Sequence, residues 1–151
     1  MAKIALMAGT VYGSALEVAN QLQQCLLDMG HQAQLFYPAK LTEVRQFAAE
    51  HWLVVTSTTG QGDIPDDLLP FFLQVQQEFP MLTGKSWAVI ALGDSSYGAT
   101  FCGAGEQWHA LLSQLDGHEI ATMLRIDATE VLLPEQPALA WLNQHYKHQY
   151  L

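Results

Sequence analysis

With 151 residues, half of them apolar and 14% charged, the chain is long enough for one domain spanning residues 1–151 around a sizeable core, and too hydrophobic for disorder. Six basic against fifteen acidic residues leave a net charge of −9, which opposes binding to nucleic acid or an anionic membrane surface and fits either basic partners or plain solubility. No apolar run reaches a membrane span, the opening MAKIALMAG has no cleavage-type site, and Cys25 and Cys102 show neither a disulfide framework nor zinc spacing, so the expected setting is cytoplasmic.

Lys3–Met7 reads as a first strand that runs into a Gly/Thr/Ser turn. Ser14–Met29 follows as a helix, because Ala15, Val18, Leu22, Cys25 and Met29 recur at three- and four-residue steps, and Gly30 stops it. Gln32–Phe36 alternates weakly as a second strand ended by Pro38, and a short helix is expected from Thr42, as its cap, to Glu50. Trp52–Thr56 has the continuous apolar run of a buried strand. Asp66 or Asp67 is placed to cap the next helix, whose face is Leu69, Phe72, Val75 and Phe79. Ser86–Leu92 is a fourth strand, a helix carrying Trp108, Leu111, Leu112 and Leu115 leads to a fifth at Glu119–Arg125, and Pro134 opens a last helix with Leu139, Leu142 and Tyr146.

Five uniformly apolar strands alternating with helices predict an α/β fold, a doubly wound five-stranded parallel sheet with helices on both faces. Ligands of such sheets sit at the carboxyl ends of the strands, where the strand order reverses. Strands one, three and four all end in loops rich in Gly, Ser, Thr and Asp, and these loops define the candidate site. In the first, the start of the helix leaves N–H groups unpaired and carries the positive end of the helix dipole. A phosphate can be cradled there, with Thr10 and Ser14 adding hydroxyls and Gly9 and Gly13 letting the backbone close. The turn holds no Lys or Arg, so the helix dipole, N–H groups and hydroxyls would have to bind the anion. A plain strand-to-helix connection fits that turn equally well, and the other two loops decide between the readings.

Those loops read STTGQGD from Ser57 to Asp63 and LGDSSY, followed by FCG, from Leu92 to Gly103. Together they give the chain its resemblance, over essentially its whole length, to the short-chain flavodoxins and to the flavodoxin-like FMN domains of diflavin reductases. The resemblance implies FMN as cofactor. Thr10, Val11, Tyr12, Gly13, Ser14 and Ala15 would then form the phosphate loop, and Ser57, Thr58, Thr59 and Gly60 would lie along one side of the flavin ring. Leu92, Gly93, Asp94, Tyr97, Phe101 and Cys102 would enclose the other side, with Tyr97 as the stacking tyrosine. Asp94 would disfavour an anionic reduced ring, and Gly60 would be the glycine whose peptide turns on one-electron reduction to offer its carbonyl to flavin N5–H. The chain departs from the family pattern at Ala15, where a hydroxyl or amide is usual, and at Thr59, where many relatives have an aromatic. Tyr12 is bulky for its place, and the Tyr97–Phe101 spacing is one residue longer than in near relatives.

The resemblance further implies a monomeric one-electron carrier, loaded by a flavodoxin-reductase-type donor and discharged by an unknown acceptor enzyme. The acidic surface suits partners with basic faces, and neither nucleic acid nor membrane is expected. An alternative is a flavodoxin-fold interaction or regulatory protein that binds FMN weakly or not at all, motivated by Ala15 and Thr59. A hydrolase using Ser95 is a distant third, because no later Asp-x-x-His supplies a base. Single residues keep plainer readings beside the sharp ones. Phe101 is a flavin-edge contact or packs its own loop, and Cys102 is a reactive thiol or a small apolar filler. Asp63, Asp66 and Asp67 form a docking face or merely cap a helix. His145 and His148 have helical ligand spacing, but their polar surroundings suit a solvated pair.

Overall fold

The computed structural model describes residues 2–147. Its elements alternate as the hydrophobic pattern requires: β1 (Lys3–Gly9), α1 (Ser14–Asp28), β2 (Gln32–Phe36), α2 (Leu41–Phe47), β3 (His51–Thr56), α3 (Leu69–Glu78), β4 (Ser86–Gly93), a 3₁₀ segment (Ser95–Thr100), α4 (Gly103–Leu112), β5 (His118–Glu119), β6 (Leu124–Asp127) and α5 (Glu135–Tyr146). All strand pairs are parallel, in the order β2-β1-β3-β4, and both β5 and β6 pair with β4. The expected fifth strand is thus two short pieces laid along one neighbour, with the chain leaving the ladder between them.

Period-two alternation sends successive strand residues to opposite faces. Ala5, Met7, Trp52, Val54, Trp87, Val89 and Ala91 meet α2, α3 and α4, while Ile4, Leu6, Leu53, Val55, Ala88 and Ile90 meet α1 and α5. Both faces are therefore covered, which is why the strands are apolar throughout. From β1 the chain crosses outward to β2 and then back past β1 to β3, so the strand order reverses between β1 and β3. Their carboxyl ends leave a crevice there.

Several local expectations yield to tertiary contacts. Thr42 caps nothing; α2 starts at Leu41 and stops at Ala48, which is left-handed at φ 55°. Phe79 is not core: α3 ends at Glu78, and Phe79 turns out at φ 50° with 40% of its surface exposed, while Phe71 and Leu68 fill the core instead. Neither Asp66 nor Asp67 caps α3, whose N-cap position is Leu68 with no side-chain cap. Pro134 stands at the N-cap of α5, one residue before the helix proper.

At the amino end of the strands lies a buried polar cluster. His51 Nδ1 meets the Ser86 hydroxyl at 2.7 Å and its Nε2 meets the Tyr146 hydroxyl at 2.5 Å. His31 Nδ1 accepts the Ala2 N–H at 2.9 Å, which leaves Nε2–H to donate to the Tyr146 carbonyl at 3.0 Å. Burial, with a smaller contribution from His31, holds the His51 pKa down to about 3, so this imidazole is neutral across the physiological range.

Candidate functional site

The carboxyl end of β1 delivers the chain into the turn before α1. Gly13 takes φ 95°, a conformation costly for any side-chain-bearing residue, and donates its N–H to Thr10 Oγ at 2.8 Å. Thr10 N–H donates in turn to both carboxylate oxygens of Asp67, at 2.9 and 3.2 Å, and Asp67 also accepts the Tyr37 hydroxyl at 2.5 Å. Asp67 therefore braces the turn from 57 residues away, and this task removes it from helix capping and from any free docking face. Its charge raises the Tyr37 pKa, chiefly through that hydrogen bond.

Among the described residues, the N–H groups of Val11, Tyr12, Ser14 and Ala15 meet no protein acceptor. They are the orphan donors of a helix start, gathered where the dipole is positive. The Ala15 side chain is fully buried in the core between α1 and the sheet, so only its backbone N–H can serve the turn. Tyr12 stands outside, 95% exposed.

The loop after β3 is tied to the turn by Ser57 N–H donating to the Gly9 carbonyl at 2.9 Å. Thr59 and Asp63 then pair as a miniature antiparallel bridge, with N–H to carbonyl distances of 3.0 and 2.7 Å. Gly60 sits in that bend at φ 53°, and a Cβ there would lie 2.9 Å from Asp63 Oδ2. A side chain at Gly60 would be strained in this conformation of the loop.

After β4, Asp94 accepts the Ser96 N–H at 2.9 Å and caps the 3₁₀ segment, which breaks at Gly98. This holds Tyr97 two-thirds exposed at the rim. Phe101 is half-buried and packs on the core beneath. Cys102 is fully buried at φ 57°, its thiol directed at the Ala91 carbonyl 3.7 Å away, and burial pushes its pKa up to about 11. The thiol is a packing group and stays protonated. Gly93 permits this closeness, since a Cβ there would lie 2.9 Å from the Cys102 nitrogen.

These segments enclose a cavity of about 500 Å³, within the ~300–1,000 Å³ range of small-molecule sites. Val11, Tyr12 and Ser14 line it, as do Ser57, Thr58, Thr59 and Gly60, and so do Leu92, Gly93, Asp94, Tyr97, Phe101 and Cys102. Thr10, Gly13 and Ala15 stand behind that surface and shape the turn. The donor set suits an anion at the helix start, joined to a flat, partly apolar body beside Tyr97. Sequence reasoning missed the segment between β6 and α5, which adds Ala128, Val131, Leu132 and Pro134 to the lining. The apolar triplet Val131-Leu132-Leu133, placed between Asp127 and Pro134 in an otherwise polar connection, was the available signal. Asp127 joins this segment to the β4 loop, accepting N–H groups of Ser95 at 3.1 Å and Thr129 at 3.0 Å. The Ser95 hydroxyl foremost, then these N–H groups and the Thr129 hydroxyl, hold its pKa down to about 2.

Other chemistries find no support in the arrangement. The Ser95 hydroxyl pairs with Thr129 Oγ at 3.1 Å, and among the described residues no imidazole reaches it. His145 packs its ring against Trp141, His148 lies outside the described residues, and among the described residues no three metal-ligating side chains cluster. No described helix is long and apolar enough to cross a membrane.

The sequence pattern of the flavodoxin family matches residues 6–141. An uncharacterized protein of Pseudomonas aeruginosa is 46% identical over 142 residues, covering 94% of this chain and 95% of that protein. Flavodoxin YqcA of Escherichia coli is 40% identical over 144 residues, covering 95% and 96%. Among solved structures, a cysteine-to-serine mutant of a flavodoxin from Pseudomonas aeruginosa superposes with a TM-score of 0.90 at 45% identity, covering 94% of this chain and 95% of that one.

Proposed function

The chain belongs to the flavodoxin family, and from that premise we propose that it binds FMN and passes single electrons between a reductase and an acceptor protein. The observation that carries the reading is the run of unpartnered N–H groups at the start of α1, opening into the cavity rimmed by Tyr97. Bound FMN would supply the one-electron chemistry. The chain's own residues bind and orient it. The N–H groups of Val11, Tyr12, Ser14 and Ala15 and the Ser14 hydroxyl would hold the phosphate, with Thr10 and Asp67 fixing the turn's shape. Tyr97 would cover the ring while its hydroxyl stays in water, and Leu92 and Phe101 would keep water from the inner edge. Ser57 to Gly60 would line the other side.

The partners follow from charge. Besides the Asp67 that braces the turn, the loops around the cavity carry Asp63, Asp66, Asp94, Asp127 and Glu130 and no Lys, Arg or His, which supports donors and acceptors with basic faces, the donor of the flavodoxin-reductase type. The two unpaired cysteines support a reducing, cytoplasmic setting, and we take the protein to act as a single-domain monomer. The test is to saturate the protein with FMN and follow its reduction by such a reductase at rising ionic strength. A rate that falls steeply as the Debye length shrinks toward about 8 Å supports the carrier reading. Failure to bind supplied FMN would leave a flavodoxin-fold interaction protein, the reading that Ala15 and Thr59 favour.

A further inference from the structure

We propose that the segment joining β6 to α5 is a fourth wall of this site, with Leu132 and Val131 covering the riboflavin part of FMN; the proposal rests on the reading of the cavity as an FMN site. Leu132 is 94% exposed and Leu133 half-exposed, beside a half-buried Val131. A single exposed leucine needs no explanation, but two of these three residues line the same cavity as Tyr97. Their apolar surface is the kind that gains most when a flat ligand displaces water from it.

The wall is held in place rather than loose. Ala128 N–H donates to the Gly93 carbonyl at 2.9 Å, Asp127 bonds Ser95 and Thr129, and the Ser95 and Thr129 hydroxyls lie 3.1 Å apart. These contacts lock it to the loop that carries Tyr97. Its other end enters α5, which packs beside α1, so Pro134 and Ser14 border one cavity. The wall therefore runs from the phosphate turn toward the ring. Thr59 brings no aromatic surface to its own side of the cavity, and Val131 and Leu132 add apolar area to that of Leu92, Tyr97 and Phe101.

A covering over the riboflavin part makes a distinct prediction from a phosphate contact. Leu132→Ala should weaken FMN and riboflavin by the same factor, about five- to tenfold, in a flavin-fluorescence quenching titration. Leu73→Ala, a half-exposed leucine on α3 away from the cavity, should change neither. An unchanged affinity for both flavins in Leu132→Ala overturns the wall, and so does a loss confined to FMN. Unchanged affinity with slower electron transfer from the reductase would instead make Leu132 a partner contact, which also overturns it. If the wild-type protein binds no flavin, the FMN reading itself falls and the wall falls with it, an outcome distinct from wild-type binding that Leu132→Ala leaves intact.

Discussion

The strands of this sheet begin and end under opposite rules. At their amino ends His51, Ser86, Tyr146 and His31 are buried and bonded to one another or to backbone. At their carboxyl ends the N–H groups before α1 are left without acceptors, and Tyr12, Tyr97 and Leu132 stand in solvent. A buried polar group without a partner costs stability, so the first end can be closed only by complete pairing. An exposed donor costs little while water serves it, and it becomes binding free energy when an anion replaces that water. Stability and ligand binding are therefore concentrated at opposite ends of the same strands, about one strand length apart.

That division is open to attack by substitution. His51→Ala should have the largest effect, since it strands the hydroxyls of Ser86 and Tyr146 and leaves a void; we expect a loss of about 3 kcal/mol in urea unfolding with flavin affinity of the folded protein unchanged. A fall in flavin affinity comparable to the loss of stability would dissolve the distinction between the two ends. Tyr97→Ala is the converse case. It should weaken flavin by about 2 kcal/mol, more than Thr59→Ala does, while the unfolding midpoint of the flavin-free protein stays put.

Acid sharpens the contrast. The folded pKa of His51, about 3, lies below the ordinary histidine value, so the unfolded chain binds the extra proton. Its stabilising contribution is complete above about pH 6.5 and is lost as pH falls from there toward 3. The slope is about 1.4 kcal/mol per pH unit in the middle of that window. Measured as the difference between wild type and His51→Gln, this slope should appear in equilibrium unfolding. Equal slopes in the two proteins would mean that His51 is not held neutral.

The sheet was legible because its strands are buried on both faces, so Leu53, Val54 and Val55 or Ala88, Val89 and Ile90 form unbroken apolar runs. The three loops were legible because glycines and hydroxyl residues cluster directly after those runs. What escaped the sequence is non-local. Asp67 has the spacing of a helix cap, and only the folded chain brings Thr10 N–H to it in competition. Phe79 matches the face of α3, yet the helix stops one residue short of it. Gly60 carries its positive φ because the Thr59–Asp63 bridge closes behind it, a pairing that nothing in TGQGD announces. The wall at Val131 and Leu132 is visible only once β6 is laid beside β4.

The most direct test of a phosphate held by orphan N–H groups compares FMN with riboflavin in one titration, on the wild type and on Thr10→Ala. Several charge-assisted bonds from Val11 to Ala15, each worth about 1 kcal/mol or more, should make the wild type prefer FMN by at least about a hundredfold. Thr10→Ala loosens the turn by removing the acceptor of the Gly13 N–H, so it should narrow that preference while leaving riboflavin affinity as it was. Equal affinity of the wild type for the two flavins, or an equal loss of both in Thr10→Ala, would contradict the account and place the phosphate elsewhere.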